Sequence, residues 1–265
     1  MNTVRSKDGT AIAYDRVGKG APLILVGGAF SYRGWKGFVQ LADLLADRYT
    51  VVSYDRRGRG GSGNAAPYAV EREFEDLEAI VEVAGGSAHV FGMSSGSVLA
   101  LKAAGAGVAV DRLVMYQPPF IVDTEGHVAP PGFAARLDEL VAKDDRSGAA
   151  KHFMRHGMGV PAPFVAMMRA ARPLWRNLKA VAPTLPYDLA VMGEDVQGRP
   201  LQNEPWAGIA TPTLIADGGK SPAQLRRAAD QLAERLPNAR RRTLDGQSHN
   251  VAMQVLAPAI HEFLR

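Results

Sequence analysis

The tightest constraint in this sequence is the run His89-Val90-Phe91-Gly92-Met93-Ser94-Ser95-Gly96. A short apolar stretch with strand character enters Gly-x-Ser-x-Gly, and the small residues that follow, to Ala106, have helix character. A serine between two glycines at a strand-to-helix junction fits a tight turn that raises its oxygen above the end of a sheet. Side chains in place of the glycines would crowd that turn. The turn also leaves the N–H of Ser95 at a helix N-terminus, where unpaired amides and the helix dipole favour negative charge. The competing reading is a glycine-rich turn carrying an idle serine.

The rest of the chain alternates strand and helix patterns, which predicts a mainly parallel sheet. Thr3–Ser6 and Ala11–Val17 flank Asp8-Gly9, a hairpin signal. Pro22–Val26, Thr50–Tyr54, Ala88–Phe91, Arg112–Tyr116, Thr213–Asp217 and Ala239–Leu244 read as strands. Trp35–Asp47, Val70–Val83, Ser95–Ala106, Ser221–Leu236 and Val255–Leu264 read as helices, with Ser221 as an N-cap and Pro222 at the first helical position. From Phe120 to Trp206 there are helical segments and prolines but no core strand. The expectation is an α/β core domain over 1–119 and 207–265, with 120–206 inserted as a helical lid. Such a lid would cover the carboxyl ends of the strands, where open α/β sheets bind ligands.

Several classes of function are excluded. The absence of cysteine removes disulfides, thiolate chemistry and cysteine metal sites, and fits a reducing, cytoplasmic setting. The first residues carry no apolar targeting segment, and no apolar run is long enough to span a bilayer, so no membrane partner is expected. The net charge of +4 comes from arginines that are scattered apart from Arg56-Arg57 and Arg240-Arg241-Arg242. Without aromatic interleaving these read as solvated surface rather than a nucleic-acid site. No Rossmann or P-loop glycine pattern and no metal-ligand spacing is present, so neither cofactor nor metal is expected.

With the Gly-x-Ser-x-Gly run in its strand–helix context, the chain resembles the α/β-hydrolase superfamily, in its lid-bearing esterase, lactonase and dehalogenase-like branch. The resemblance extends over nearly the whole chain and implies a mainly parallel eight-stranded sheet flanked by helices. Leu23–Phe30 is similar to the loop after the third strand, except that Gly27-Gly28 stands where the family usually has His-Gly. The resemblance implies an oxyanion hole formed by the backbone N–H groups of Ala29 and Ser95; a main-chain donor tolerates the lost histidine. Asp55-Arg56-Arg57-Gly58-Arg59-Gly60-Gly61-Ser62 resembles the family's Asp-x-Arg-Gly-x-Gly-x-Ser segment after the fourth strand, read as structural. Arg242–Asn250 resembles the last strand, a glycine loop and the family's general-base histidine, here His249. Of the six histidines, the others fall on a strand, in the lid region or in the final helix.

The third catalytic member departs from the pattern. The usual acid seat after the seventh strand aligns with Ser221, and the alternative seat after the sixth strand with Gln117. A glutamine carbonyl can accept the histidine Nδ1–H and orient the ring, but it cannot stabilise an imidazolium by charge. Asp217, Asp245 and Asp123 are nearby alternatives, and the absence of any acid is a further one.

The sequence therefore predicts a cofactor-independent serine hydrolase for a small or medium, largely apolar carboxylic ester, lactone or thioester. Ser94 is its nucleophile, His249 its base and Gln117 the orienting group. Phe30, Met93, Phe153 and Trp175 are expected to bind substrate. Met154, Met158, Phe164, Met167, Met168, Leu174 and Leu178 fit either an apolar pocket or lid packing. The rival readings are a lyase, cyclase or cofactor-free oxygenase on the same fold, and a ligand-binding receptor. A carboxylate nucleophile would be needed for dehalogenation, which Ser94 argues against.

Overall fold

The computed structural model describes residues Met1–Arg265. Its strands are β1 (Asn2–Arg5), β2 (Ala11–Gly18), β3 (Ala21–Val26), β4 (Tyr49–Tyr54), β5 (Ala88–Met93), β6 (Val110–Tyr116), β7 (Thr213–Gly218) and β8 (Ala239–Leu244). They form one eight-stranded sheet in the order β1-β2-β4-β3-β5-β6-β7-β8. The β1–β2 and β2–β4 pairs are antiparallel and the rest parallel. The β1–β2 turn closes where Asp8 Oδ1 accepts the Thr10 N–H at 2.9 Å. β3 lies between β4 and β5, so the chain winds away from it in both directions. The carboxyl ends of β3 and β5 thus open at a topological switch point, where the loop after β3 and the Ser94 turn lie side by side.

The apolar strands are split by their period of two. Ile24, Val26, Val52, Leu113 and Met115 face one core with α2 (Val70–Ala84), α3 (Ser95–Gly105) and α9 (Ala223–Arg235). Leu23, Leu25, Val51, Val114 and Tyr116 face the other, with α1 (Lys36–Leu45) and α10 (Met253–Leu264). Covered on both faces, these strands read as continuous apolar runs. The expected cap of α9 is corrected. Pro222, not Ser221, is the N-cap residue, and it makes no side-chain cap. Ser221 is held a step earlier by its N–H to Gly218 O, and its hydroxyl is buried without a partner.

Between β6 and β7 the chain is helical: α4 (Phe133–Ala142), α5 (Arg146–His152) running into a π-turn at Phe153–Gly157, α6 (Ala162–Ala170), α7 (Arg172–Val181) and α8 (Leu185–Met192). These helices have their own cluster, including Phe133, Leu137, Phe153, Val165, Trp175 and Leu185. The ends of the segment belong to the body instead, since Phe120, Val122, Leu201 and Trp206 lie in the α2–α3–α9 core.

The inserted helices are tied to the body by buried charge. Arg56, Arg57 and Arg59 are at most 2 % exposed, which corrects the reading of the Arg56-Arg57 pair as solvated surface. Arg56 makes two 2.6 Å bonds to Glu73 of α2 and a third, also 2.6 Å, to Asp188 of α8. Arg59 reaches the second oxygen of Asp188 at 2.6 Å, Thr184 at 2.9 Å and the carbonyl of Gly28 at 2.6 Å. Arg57 is held by Asp76 and Asp8. Two guanidinium groups thus face two carboxylates, which offsets the desolvation of each. Burial alone would raise the Asp188 pKa; Arg59 and Arg56 outweigh it and hold the carboxyl below its usual range.

Asp188→Asn leaves two buried cations facing one carboxylate and should cost roughly 3–5 kcal/mol of stability at neutral pH, measured by urea unfolding. Because the folded pKa is depressed, this contribution is present above the ordinary carboxylate range and lost as pH falls through the folded value. The gap between wild type and variant should therefore narrow in acid.

Candidate active site

Ser94 follows β5 and is the N-cap residue of α3, with φ 56° and ψ −133°, a positive-φ conformation that non-glycine residues rarely adopt. The turn is held from both sides. The Ser94 N–H donates to Tyr116 O of β6 at 2.9 Å, and Ser97 Oγ donates to Ser94 O at 2.6 Å. Both flanking glycines are sterically required. A Cβ on Gly92 would strike the backbone of Ser97, and one on Gly96 the backbone of Val26 and Gly27. At Gly27, where the family usually has histidine, a side chain would meet Ser31 and Phe38. The space is filled by this chain's own loop.

His249 lies in the loop after β8, and its Nδ1 is 3.0 Å from Gln117 Oε1. Gln117 leaves β6 with φ 49°, is fully buried, and is pinned by its N–H to Ala216 O at 2.9 Å. With Oε1 as acceptor, Nδ1 carries the proton and Nε2 is left as the basic nitrogen. The Gln117 amide NH₂ is buried without a partner, so nothing else competes for the side chain's orientation. Burial lowers the His249 pKa. Tyr116 was not singled out from the sequence, yet it holds both halves of the site. Its carbonyl takes the Ser94 N–H, and its hydroxyl donates to Ser248 O at 2.5 Å, beside His249. The signal available was its place at the strand end, next to Gln117.

The alternative acids are engaged elsewhere. Asp217, fully buried, forms a two-point pair with Arg241 at 3.0 and 2.7 Å. Asp123 pairs likewise with Arg227 at 2.6 and 2.9 Å. Asp245 is exposed.

The two amides expected to hold an oxyanion are not both free. Ser95 is the first residue of α3, so its N–H has no partner within the helix. The Ala29 N–H, by contrast, donates to Ser95 Oγ at 3.0 Å. That hydroxyl in turn donates to Asp188 Oδ1 at 2.7 Å. A developing oxyanion is a stronger acceptor than a neutral hydroxyl and competes with it for the Ala29 N–H. Asp188, absent from the sequence-based set, reaches the site through Ser95.

Phe30, with φ 62°, meets Phe153 edge-on at 5.7 Å, where the loop after β3 touches the inserted helices. Phe153 and Trp175 belong to the helices' own cluster, against which Ala29 and Phe30 pack. Met93 is 6 % exposed and packs in the α1–α10 core, the face to which the alternation along β5 turns it. The reading of Met158, Phe164, Met167 and Leu174 as lid packing is corrected: all four are exposed. No cluster of three or more His, Asp or Glu side chains is arranged to hold a metal ion.

Comparison with known proteins agrees with this geometry at the level of family and fold. The family model described as the alpha/beta hydrolase family matches residues 23–259, and the chain belongs to that family. The chain is similar to the crystal structure of an alpha/beta hydrolase from Sphaerobacter thermophilus DSM 20745, with 49% identity, all of both chains covered and a TM-score of 0.93. It shares its fold with an enol-lactonase from Burkholderia xenovorans LB400, at 17% identity, 99% of each chain and a TM-score of 0.72. An esterase from Rhodococcus sp. ECU1013 matches at 18% identity, over 99% of this chain and 98% of the esterase, with a TM-score of 0.71. The uncharacterized hydrolase YraK of Bacillus subtilis is 37% identical over 99 residues, so the match spans only 35% of each protein.

Because burial lowers the His249 pKa and no carboxylate opposes it, the imidazole should titrate below the ordinary histidine value of about 6.5. Histidine NMR across a pH series checks this, and the acid limb of kcat/KM for an ester should follow the same midpoint. A midpoint above the ordinary value would require an anion beside the ring.

Proposed function

We propose that this alpha/beta hydrolase is a cofactor-independent serine hydrolase acting on a small or medium, largely apolar carboxylic ester, lactone or thioester. The observation that carries this reading is the 3.0 Å contact between His249 Nδ1 and Gln117 Oε1, on the loops that flank the strained Ser94 turn. Ser94 Oγ attacks the acyl carbon while His249 Nε2 takes its proton. The tetrahedral oxyanion is held by the Ser95 N–H at the head of α3, and by the Ala29 N–H as it leaves the Ser95 hydroxyl. The protonated histidine then gives its proton to the departing alcohol or thiol, leaving an acyl-serine. Water, deprotonated by His249, attacks that ester; the proton returns to Ser94 and the acid is released.

Gln117 does only part of the work of the usual carboxylate. It fixes the tautomer and ring orientation, and its dipole is a weaker partner than a charge for the imidazolium formed during attack. The inserted helices serve as a lid, with Phe30 and Phe153 at its seam. The same neutral Gln117 favours a second reading, a non-hydrolytic reaction on this site, since a lyase or cofactor-free oxygenase makes less use of a charged imidazolium. The absence of cysteine supports a cytoplasmic setting.

Ser94→Ala should lower turnover of short p-nitrophenyl esters by roughly three orders of magnitude or more and abolish labelling by a fluorophosphonate probe. His249→Ala should fall nearly as far, and the double variant no further, because the two side chains act as one unit. Labelling of the wild type without ester turnover would favour the non-hydrolytic reading. Near-wild-type turnover in Ser94→Ala would remove the nucleophile assignment.

A further inference from the structure

The inserted helices carry an unusual surface that the chemistry at Ser94 does not use. From Arg146 to Tyr187 there is no acidic residue, while Arg146, Lys151, Arg155, Arg169, Arg172, Arg176 and Lys179 are all cationic. Of these only Arg146 is in an ion pair, with Asp144 at 2.7 Å. Within the same stretch, Gly157–Met168 carries no charge at all. Its apolar side chains are turned outward. Met158 is 47% exposed, Phe164 56%, Met167 62% and, on the next helix, Leu174 45%. Val165 and Trp175 occupy the inner sides of α6 and α7 and are buried, so the helices already spend their packing faces on the protein. The outer face is left with large apolar side chains and with Arg169 and Arg172 at the α6–α7 junction, while Arg146, Arg176 and Lys179 share a separate surface cleft with Asp144 and Asp145.

We infer that the α6–α7 face docks on the anionic headgroup surface of a lipid bilayer. Large exposed apolar side chains on a helix that carries cations and no acid of its own, as α6 and α7 do, are what interfacial binding requires. The apolar groups enter the boundary between headgroups and acyl chains, and the cations meet the lipid phosphates. Charge decides against the nearest alternative, a second copy of this chain. A two-fold contact would press this face against itself and oppose like charges from both partners. No helix is long and apolar enough to cross a membrane, and none is needed for a contact that lies in the interface plane. Docking would set the inserted helices, and the Phe30–Phe153 seam beneath them, against a source of apolar esters. The binding itself does not depend on the reaction at Ser94.

The test uses the full chain and extruded vesicles of phosphatidylcholine, alone or mixed with phosphatidylglycerol, separated by sedimentation at low salt. The wild type should pellet with the mixed vesicles, remain in solution with phosphatidylcholine alone, and be released as salt rises. Phe164→Ser/Met167→Ser and, separately, Arg169→Gln/Arg172→Gln should each weaken partitioning by roughly tenfold or more. Thermal melts by circular dichroism should stay close to the wild type, since all four side chains are exposed and Arg169 gives up only its contact over the Trp175 ring at 5.8 Å. The inference is overturned if the wild type stays in solution with the mixed vesicles, or if both double variants pellet as it does. A concentration-dependent dimer that Phe164→Ser/Met167→Ser dissociates would also overturn it, assigning the face to a second copy.

Discussion

Asp188 brings a carboxylate from the inserted helices into the body, where Arg56 and Arg59 meet its two oxygens at 2.6 Å each. The arrangement reaches further than the attachment of one substructure to another. Arg59 also grips Gly28 O in the loop after β3, and Asp188 takes the Ser95 hydroxyl that in turn receives the Ala29 N–H. The position of both proposed oxyanion donors therefore depends on a buried ion cluster. A rigid cluster of this kind suits a site that must hold amide groups in place ahead of reaction, because preorganised dipoles need no rearrangement as charge develops. The same links make the inserted helices and the loops around Ser94 one mechanical unit.

On the other side of Ser94, β6 supplies the corresponding constraint. Tyr116 holds the Ser94 turn and the His249 loop, and Gln117 accepts from the ring. What this end of the site lacks is charge. A buried aspartate or glutamate in the Gln117 seat would raise the histidine pKa and stabilise its cation; a glutamine leaves desolvation to act alone. The buried carboxylate of Asp217 is committed to Arg241. His249 thus keeps an orienting partner in Gln117 and gives up electrostatic support, which suits modest turnover or a reaction with little imidazolium character.

The architecture was readable because its signals are local. Doubly covered strands read as nearly continuous apolar runs, as in Pro22–Val26, and the glycines at 92 and 96 announce close backbone approach. Gln117 and His249 were reachable because each follows a strand end. What the sequence left hidden depends on long-range or orientational facts. Asp188 lies 93 residues from the serine it touches. The Ala29 N–H is diverted by a hydroxyl rotamer. Helical spacing marks Phe164 and Met167 as apolar but is the same whether a face turns inward or outward. The arginines after β4 read as solvent-facing because their partners, Glu73, Asp76 and Asp188, are scattered along the chain.

In the proposed serine hydrolase a neutral glutamine orients the base, and ester turnover in Gln117→Glu decides whether it does. The substitution keeps the size of the side chain, loses no hydrogen bond from the unpartnered NH₂, and places a carboxylate within reach of His249. With glutamate in that seat, kcat should rise by on the order of tenfold to a thousandfold and the His249 midpoint should move upward. Unchanged or lower turnover in a folded Gln117→Glu protein, with Asp217→Asn as the crippling change instead, would contradict that role of Gln117.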